Sequence, residues 1–153
     1  VRENLRFYSE LYGMIGAEGR ERRAQVLKEF GLDQRAGQLA GTLSGGWKQR
    51  LALACATAHD PVLVFLDEPT AGVDPAARQH FWTIIDERAR AGLTVLVTTH
   101  YMDEAERCDR LGLLSRGDLI ALGTPAHIKQ QFGMASIEDV FISLQRQDEG
   151  ALT

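Results

Sequence analysis

Two adjacent carboxylates at the end of an apolar run are the residues of this 153-residue chain best placed to do chemistry. Val62, Leu63, Val64, Phe65 and Leu66 are followed at once by Asp67 and Glu68, and Pro69 closes the run. A short, continuous apolar stretch of this kind predicts a strand covered on both faces in a parallel sheet. The carboxyl end of such a strand is where open α/β sheets bind ligands. One acid there can hold Mg²⁺, directly or through water, and its neighbour can orient or deprotonate an attacking water. Two ordinary solvated acids are the other reading of the same residues.

A second β-prone run, Leu93 to Val97, ends in Thr98, Thr99 and His100. Between the runs, Pro75 to Ala91 predicts a helix. Pro75 suits its first turn, and Phe81, Ile84, Ile85 and Ala89 recur at helical spacing. A strand–helix–strand unit makes the strands parallel neighbours joined by a right-handed crossover. Asp67, Glu68 and His100 are then expected at one edge of the sheet. His59, His80 and His127 have no such placement and read as surface residues.

Ser44, Gly45 and Gly46 precede a predicted helix, Trp47 to Ala58, with apolar Trp47, Leu51, Ala54, Cys55 and Ala58. Free backbone N–H groups and the helix dipole at such a start favour an anion such as a phosphate. Glycine allows the close approach that a side chain would block. A plain serine cap is the alternative. The chain has no G-x-x-x-x-G-K-[ST] segment, the loop whose backbone cradles a nucleotide's phosphates. These residues therefore read as the second half of a nucleotide-hydrolysing site.

Over nearly its whole length the chain resembles the ATP-binding subunit of an ABC transporter, from just after the glutamine loop onward. LSGGWKQR (Leu43 to Arg50) is similar to the signature motif, and VLVFLDE to Walker B with its catalytic acid. AGVD (Ala71 to Asp74) is similar to the D-loop, and His100 to the switch histidine. The resemblance implies an α/β, P-loop NTPase-like fold. Its parallel core strands would be flanked by helices, beside an α-helical subdomain carrying the signature, with the Walker A portion absent. It implies ATP and Mg²⁺, with Asp67 associated with the metal, Glu68 activating water and His100 contacting the γ-phosphate. Ser44, Gly45 and Gly46 would reach the γ-phosphate held by an opposite subunit, and Asp74 would lie at the dimer seam. Trp47 stands where the usual signature has glutamine. It is expected either to stack on a neighbouring group or to pack toward a membrane partner.

The same resemblance divides the chain into residues 1–58, mainly helical; 59–123, core strands; and 124–153, C-terminal helices. Val1-Arg2-Glu3-Asn4-Leu5 is similar to the stretch that follows the glutamine loop, so residue 1 is expected to fall inside a domain. Alone, the 153 residues are expected to hydrolyse little ATP and to leave an apolar sheet face uncovered. The implied partners are membrane-spanning transporter subunits and a second ATP-binding domain, as homodimer or heterodimer, on the cytoplasmic side of the membrane. THYMDEAERCDR, the Gly123-Thr124-Pro125 turn and the ending SIEDVFISL resemble exporters of the ABC-2 type.

Composition agrees with one globular domain: net charge is −4 and 44% of residues are hydrophobic. No basic stripe suggests nucleic acid. No apolar run approaches the roughly 20 residues of a membrane span. Cys55 and Cys108 read as free thiols. Two helices are expected near the start: Asn4 to Met14, with Leu5, Tyr8, Leu11 and Tyr12 on one face, and Arg20 to Phe30. Later come a hairpin around Arg116-Gly117-Asp118, a helix from Thr124-Pro125 to Phe132, and a last helix begun by Ser136 and Asp139. The alternatives are a non-transport ABC ATPase, a phosphoacceptor receiver domain, which gives no reason for LSGG, and a noncatalytic interaction module.

Overall fold

The structure, a computed structural model, describes residues 1–150, with side chains through residue 146. The chain divides into two compact units, Val1–Thr98 and Thr99 onward.

In the first unit, helices α1 (Arg2–Leu11) and α2 (Gly16–Glu29) lead through two short 3₁₀ turns into α3 (Gly45–Thr57). Strand β1 (Leu63–Asp67), helix α4 (Pro75–Arg90) and strand β2 (Thr94–Thr98) follow. Helix α1 packs on α2 and α3, and α3 on α4. The core draws on Leu5, Val26, Leu27, Phe30, Leu51, Leu53, Ala54, Phe81, Trp82, Ile84 and Ile85, all buried. Cys55 is a buried free thiol, and desolvation pushes it up to about 11.

The buried face of α1 differs from the expected one. Leu5 and Ser9 are inside, whereas Tyr8, Leu11 and Tyr12 are exposed, together with Phe7 and Ile15. The i, i+4 row of Leu5 and Ser9 carries α1 onto its neighbours, while Tyr8 and Tyr12, at i+3 from Leu5 and Ser9, flank that row and stay exposed. His59 also departs from expectation. It is half-buried and stacks on Tyr12, with ring centroids 3.7 Å apart.

Strands β1 and β2 pair in parallel, with Leu63 opposite Thr94, Phe65 opposite Leu96, and Asp67 opposite Thr98. The apolar run suggests cover on both faces, but the 153 residues leave one apolar sheet face uncovered, as expected for them alone. Val64 is buried, but Phe65 is 69% and Leu96 55% exposed. Helix α4 packs on β2. Among the described residues of this unit nothing encloses the face bearing Phe65 and Leu96. The apolar run is therefore a buried-strand pattern realised on one face only.

In the second unit α5 (Met102–Ala105) precedes the antiparallel hairpin of β3 (Leu111–Ser115) and β4 (Asp118–Gly123), then α6 (Pro125–Phe132) and α7 (Ile137–Gly150). Arg116 and Gly117 form the two-residue hairpin turn, both with positive φ, 50° and 92°. That is the twist a tight hairpin requires. The core here is Ala105, Leu111, Leu113, Ile128, Ile137 and Val140, with Phe132, Met134 and Phe141 against it. Thr124 caps α6 through the His127 N–H, with Pro125 in the first turn. Ser136 and Asp139 form the expected reciprocal pair at the start of α7.

Glu106 ties this unit together. Its carboxylate accepts from Lys129 Nζ at 2.6 Å and from the Ile137 N–H at 2.9 Å. The Lys129 bond, then the Ile137 bond, hold this carboxyl below its ordinary 4.5. A group depressed in the folded state contributes stability above its unfolded value and loses it as pH falls through its folded value. We expect Glu106→Gln to lower the thermal midpoint near neutral pH by no more than a few degrees, since the pair is partly solvated. The difference from the parent should shrink as pH is taken through and below 4.5. Thermal melts followed by circular dichroism across pH check both points.

Candidate nucleotide site

Asp67 is the last residue of β1, and Glu68 is the first beyond it. Both are exposed. Alternation along β1 puts Asp67 on the same face as Phe65, opposite Thr98 in the register. The Thr98 hydroxyl donates to Asp67 Oδ1. The same hydroxyl oxygen accepts the Glu68 N–H at 3.1 Å, and the Thr98 carbonyl accepts it at 3.0 Å. Glu68 has φ of +41°, in the left-handed region. For a residue with a Cβ that conformation costs on the order of 1–2 kcal/mol. It persists where the surroundings over-determine it, and such positions cluster at functional sites. The pair is thus a built feature of the sheet edge. Pro69 and Thr70, which follow, are buried.

Among the described residues no three His, Cys, Asp or Glu side chains form a metal cage. Mg²⁺ does not need one. It binds through one or two carboxylates with substrate phosphates and water completing its shell. Asp67, with a hydroxyl donor on one oxygen only, fits that use.

Ser44 is the residue before α3, but its side chain makes no capping hydrogen bond. The simple cap reading of this serine is therefore not what the fold uses. Gly45 is open: a Cβ there meets only the Gly72 carbonyl, at 3.9 Å. Gly46 is different. A Cβ there would lie 2.6 Å from the Ala77 Cβ and 3.5 Å from Val73 Cγ1. Gly46 is needed for the packing of α3 against the start of α4, whatever ligand it faces.

Asp74 caps α4, accepting the Ala77 N–H at 2.9 Å, with Pro75 in the first turn. Its carboxylate thus has a local structural job. The contacts of Gly45 and Gly46 with Gly72, Val73 and Ala77 bring the Ser44–Gly46 segment and the Ala71–Asp74 loop side by side within the first unit.

Trp47 takes the first of its two expected options. The guanidinium carbons of Arg35 and Arg50 lie 4.3 and 4.2 Å from its ring. Both guanidiniums are within cation–π range of the indole. Each contact is worth about 0.5–1 kcal/mol where partly solvated. Burial, then the nearby Arg35 charge, lowers the pKa of Arg50 below its ordinary value.

His100 lies two residues beyond Thr98, in the second unit, and is exposed. Its neighbours are tied down. The Thr99 hydroxyl donates to Glu104 at 2.6 Å and accepts the Tyr101 N–H at 3.1 Å. Glu104 is only 1% exposed. The His100 and Tyr101 rings lie 4.1 Å apart.

Sequence reasoning passed over Thr98 and Glu104. Thr98 was detectable in principle, because equal-length parallel strands put it opposite Asp67. The burial of Glu104 has no sequence signal within an acidic, helix-prone stretch.

A parallel strand pair ending in a tethered Asp-Glu, with a Ser-Gly-Gly helix start packed beside the following loop, defines an ATP-binding cassette type of ATPase domain. The comparisons agree. The ABC transporter family profile matches residues 1–71. The chain is 51% identical over 131 residues to the "Probable multidrug ABC transporter ATP-binding protein YbhF" of Escherichia coli (strain K12), covering 86% of this chain and 23% of that protein. It is 39% identical over 142 residues to the "Linearmycin resistance ATP-binding protein LnrL" of Bacillus subtilis (strain 168), covering 92% and 46%. A solved ATP-binding subunit of an ABC transporter superposes with a TM-score of 0.78 at 34% identity, covering 94% of this chain and 61% of that one. The chain belongs to the ABC transporter ATP-binding family and has its α/β ATPase fold. It spans less than half the length of these two curated relatives.

The two glycines should separate cleanly. Gly46→Ala is expected to destabilise the fold by about 1–3 kcal/mol through overpacking against Ala77. Gly45→Ala should stay close to the parent. Urea denaturation of both variants measures the difference.

Proposed function

We propose that the chain supplies the hydrolytic acids and the signature segment of an ABC transporter's ATPase, and that the transporter is an exporter. The observation that carries this reading is the Asp67-Glu68 pair, pinned to Thr98 at the carboxyl end of parallel strands. Multidrug and resistance relatives, together with the THYMDEAERCDR segment, support the exporter branch.

In this reading the phosphate cradle comes from another stretch of polypeptide, since the 153 residues hold no G-x-x-x-x-G-K-[ST] loop. Asp67 would hold Mg²⁺ bound with ATP, and the metal would neutralise charge developing on the phosphates. Glu68 would orient the attacking water and take its proton, and His100 would contact the γ-phosphate. Ser44, Gly45 and Gly46 would present N–H groups to the γ-phosphate held by a second ATP-binding domain, in a homodimer or heterodimer with Asp74 at the seam. Residues 1–58 would form the mainly helical subdomain, 59–123 the core strands, and 124–153 the C-terminal helices. The exposed Phe7, Leu11 and Ile15 give the helical part an apolar surface suited to a membrane-spanning subunit. The assembly would work from the cytoplasmic side. Among the described residues no helix is long and apolar enough to cross a membrane.

The central test joins this chain to a phosphate-loop segment in an assembled transporter and replaces Glu68 by Gln. Turnover should fall about 10²–10⁴-fold while ATP still binds, because the amide keeps size and hydrogen bonding but cannot take the proton. Phosphate release at the parental rate would remove Glu68 from the mechanism.

A second variant tests the signature segment. Gly46 is unsuitable because any side chain collides with Ala77. At Gly45 a Cβ meets no atom closer than 3.9 Å, and Gly45→Arg is expected to abolish cooperative hydrolysis while leaving nucleotide binding by one isolated domain intact. Equal loss of binding by that domain would contradict the trans arrangement.

A further inference from the structure

We propose that Thr98 is a positioning residue for hydrolysis, whose hydroxyl holds the Glu68 backbone in its left-handed conformation and locks it to Asp67. The proposal deepens the reading of Glu68 as the residue that activates water, and rests on it.

The geometry is economical. A threonine hydroxyl has one proton and two lone pairs. Here the proton goes to Asp67 Oδ1, and a lone pair takes the Glu68 N–H at 3.1 Å. The Thr98 carbonyl takes the same N–H at 3.0 Å. An N–H shared between two acceptors on one residue cannot swing toward either without losing the other. The peptide between Asp67 and Glu68 is therefore fixed in orientation against β2. The chain then turns at Glu68, with φ of +41°. That turn sets the direction in which the Glu68 side chain leaves the sheet edge. Without the hydroxyl the N–H keeps only the carbonyl, Asp67 loses its donor, and the strained φ loses part of what enforces it.

A hydroxyl is required, and valine at this position would not provide one. Valine would suit the strand equally well, since Thr98 lies on the exposed face beyond Leu96. Thr98 belongs to neither the predicted acid pair nor the phosphate contacts. Its effect passes through Glu68 and Asp67, so it should appear in the rate of hydrolysis and not in nucleotide affinity.

The test uses the assembled ATPase, this chain together with its phosphate-loop segment, with Thr98→Val, Thr98→Ala and Thr98→Ser. Valine and alanine should each lower kcat at least tenfold with KM for ATP within twofold of the parent. Serine, which keeps the hydroxyl, should retain at least half of kcat. Hydrogen exchange at the Glu68 amide gives a readout independent of turnover. It should quicken at least tenfold in the valine and alanine variants and stay near parental with serine. The proposal is overturned if valine leaves kcat within twofold, if serine falls as far as valine, or if the loss is confined to valine. Glu68→Gln, run alongside, separates the two ideas. Parental turnover in that variant rejects Glu68 as the base, while Glu68 amide exchange in the Thr98 series still decides whether the tether exists.

Discussion

The parallel register that sets Asp67 opposite Thr98 is the constraint on which the placement of the two acids depends. With that pairing, a single hydroxyl meets the carboxylate of one acid and the backbone of the next. A slip by one residue would send Thr98 to the other face of the sheet and leave both acids without a fixed reference. The helices serve this arrangement indirectly. Helix α4 connects the two strands, packs on β2, and is capped by the loop that leaves the acids.

A second constraint joins the predicted nucleotide contacts at the starts of α3 and α4. The α3 and α4 starts meet so closely at Gly46 and Ala77 that a Cβ has no place there. Two helix N-termini brought together place their positive ends side by side. Asp74 at the α4 cap offsets one of them. The α3 terminus, whose serine makes no cap bond, remains available to an anion. Gly46 and Asp74 thus have packing and capping duties that would hold them in place even without a ligand. Gly45 and Ser44 have no such duty, which makes them the more informative residues for function.

The exposed Phe65 and Leu96 show how far a local pattern can be trusted. Five consecutive apolar residues predict burial on both faces, because a strand with one solvated face usually alternates. Here the pattern describes the strand's chemistry and not its cover. Cover depends on which elements lie across the sheet, and in this unit α4 packs on β2 while the other face stays open. The buried face of α1 differs from its sequence pattern for a related reason. Leu5, Tyr8, Leu11 and Tyr12 sit at helical spacing, but of these only Leu5 is buried, and Ser9 is buried beside it. Spacing identifies a stripe, and only the partner helix determines which stripe is inside.

By itself the sequence determined the elements, their order and the class of chemistry. Proline, glycine and capping residues mark the starts of α4, α6 and α7. The apolar run and the two acids mark β1 and its carboxyl end, and four motifs in order point to the family. These are short-range signals, carried within a few residues of chain. Tertiary structure decided what depends on residues far apart in sequence. It made Thr98 the tether of Glu68 across 30 positions, made Gly46 a packing requirement of α4, and brought Arg35 and Arg50 onto the Trp47 ring. A hydrogen bond or a close contact depends on position in space. Two residues acquire it only when the register and packing of whole elements bring them within about 3–4 Å.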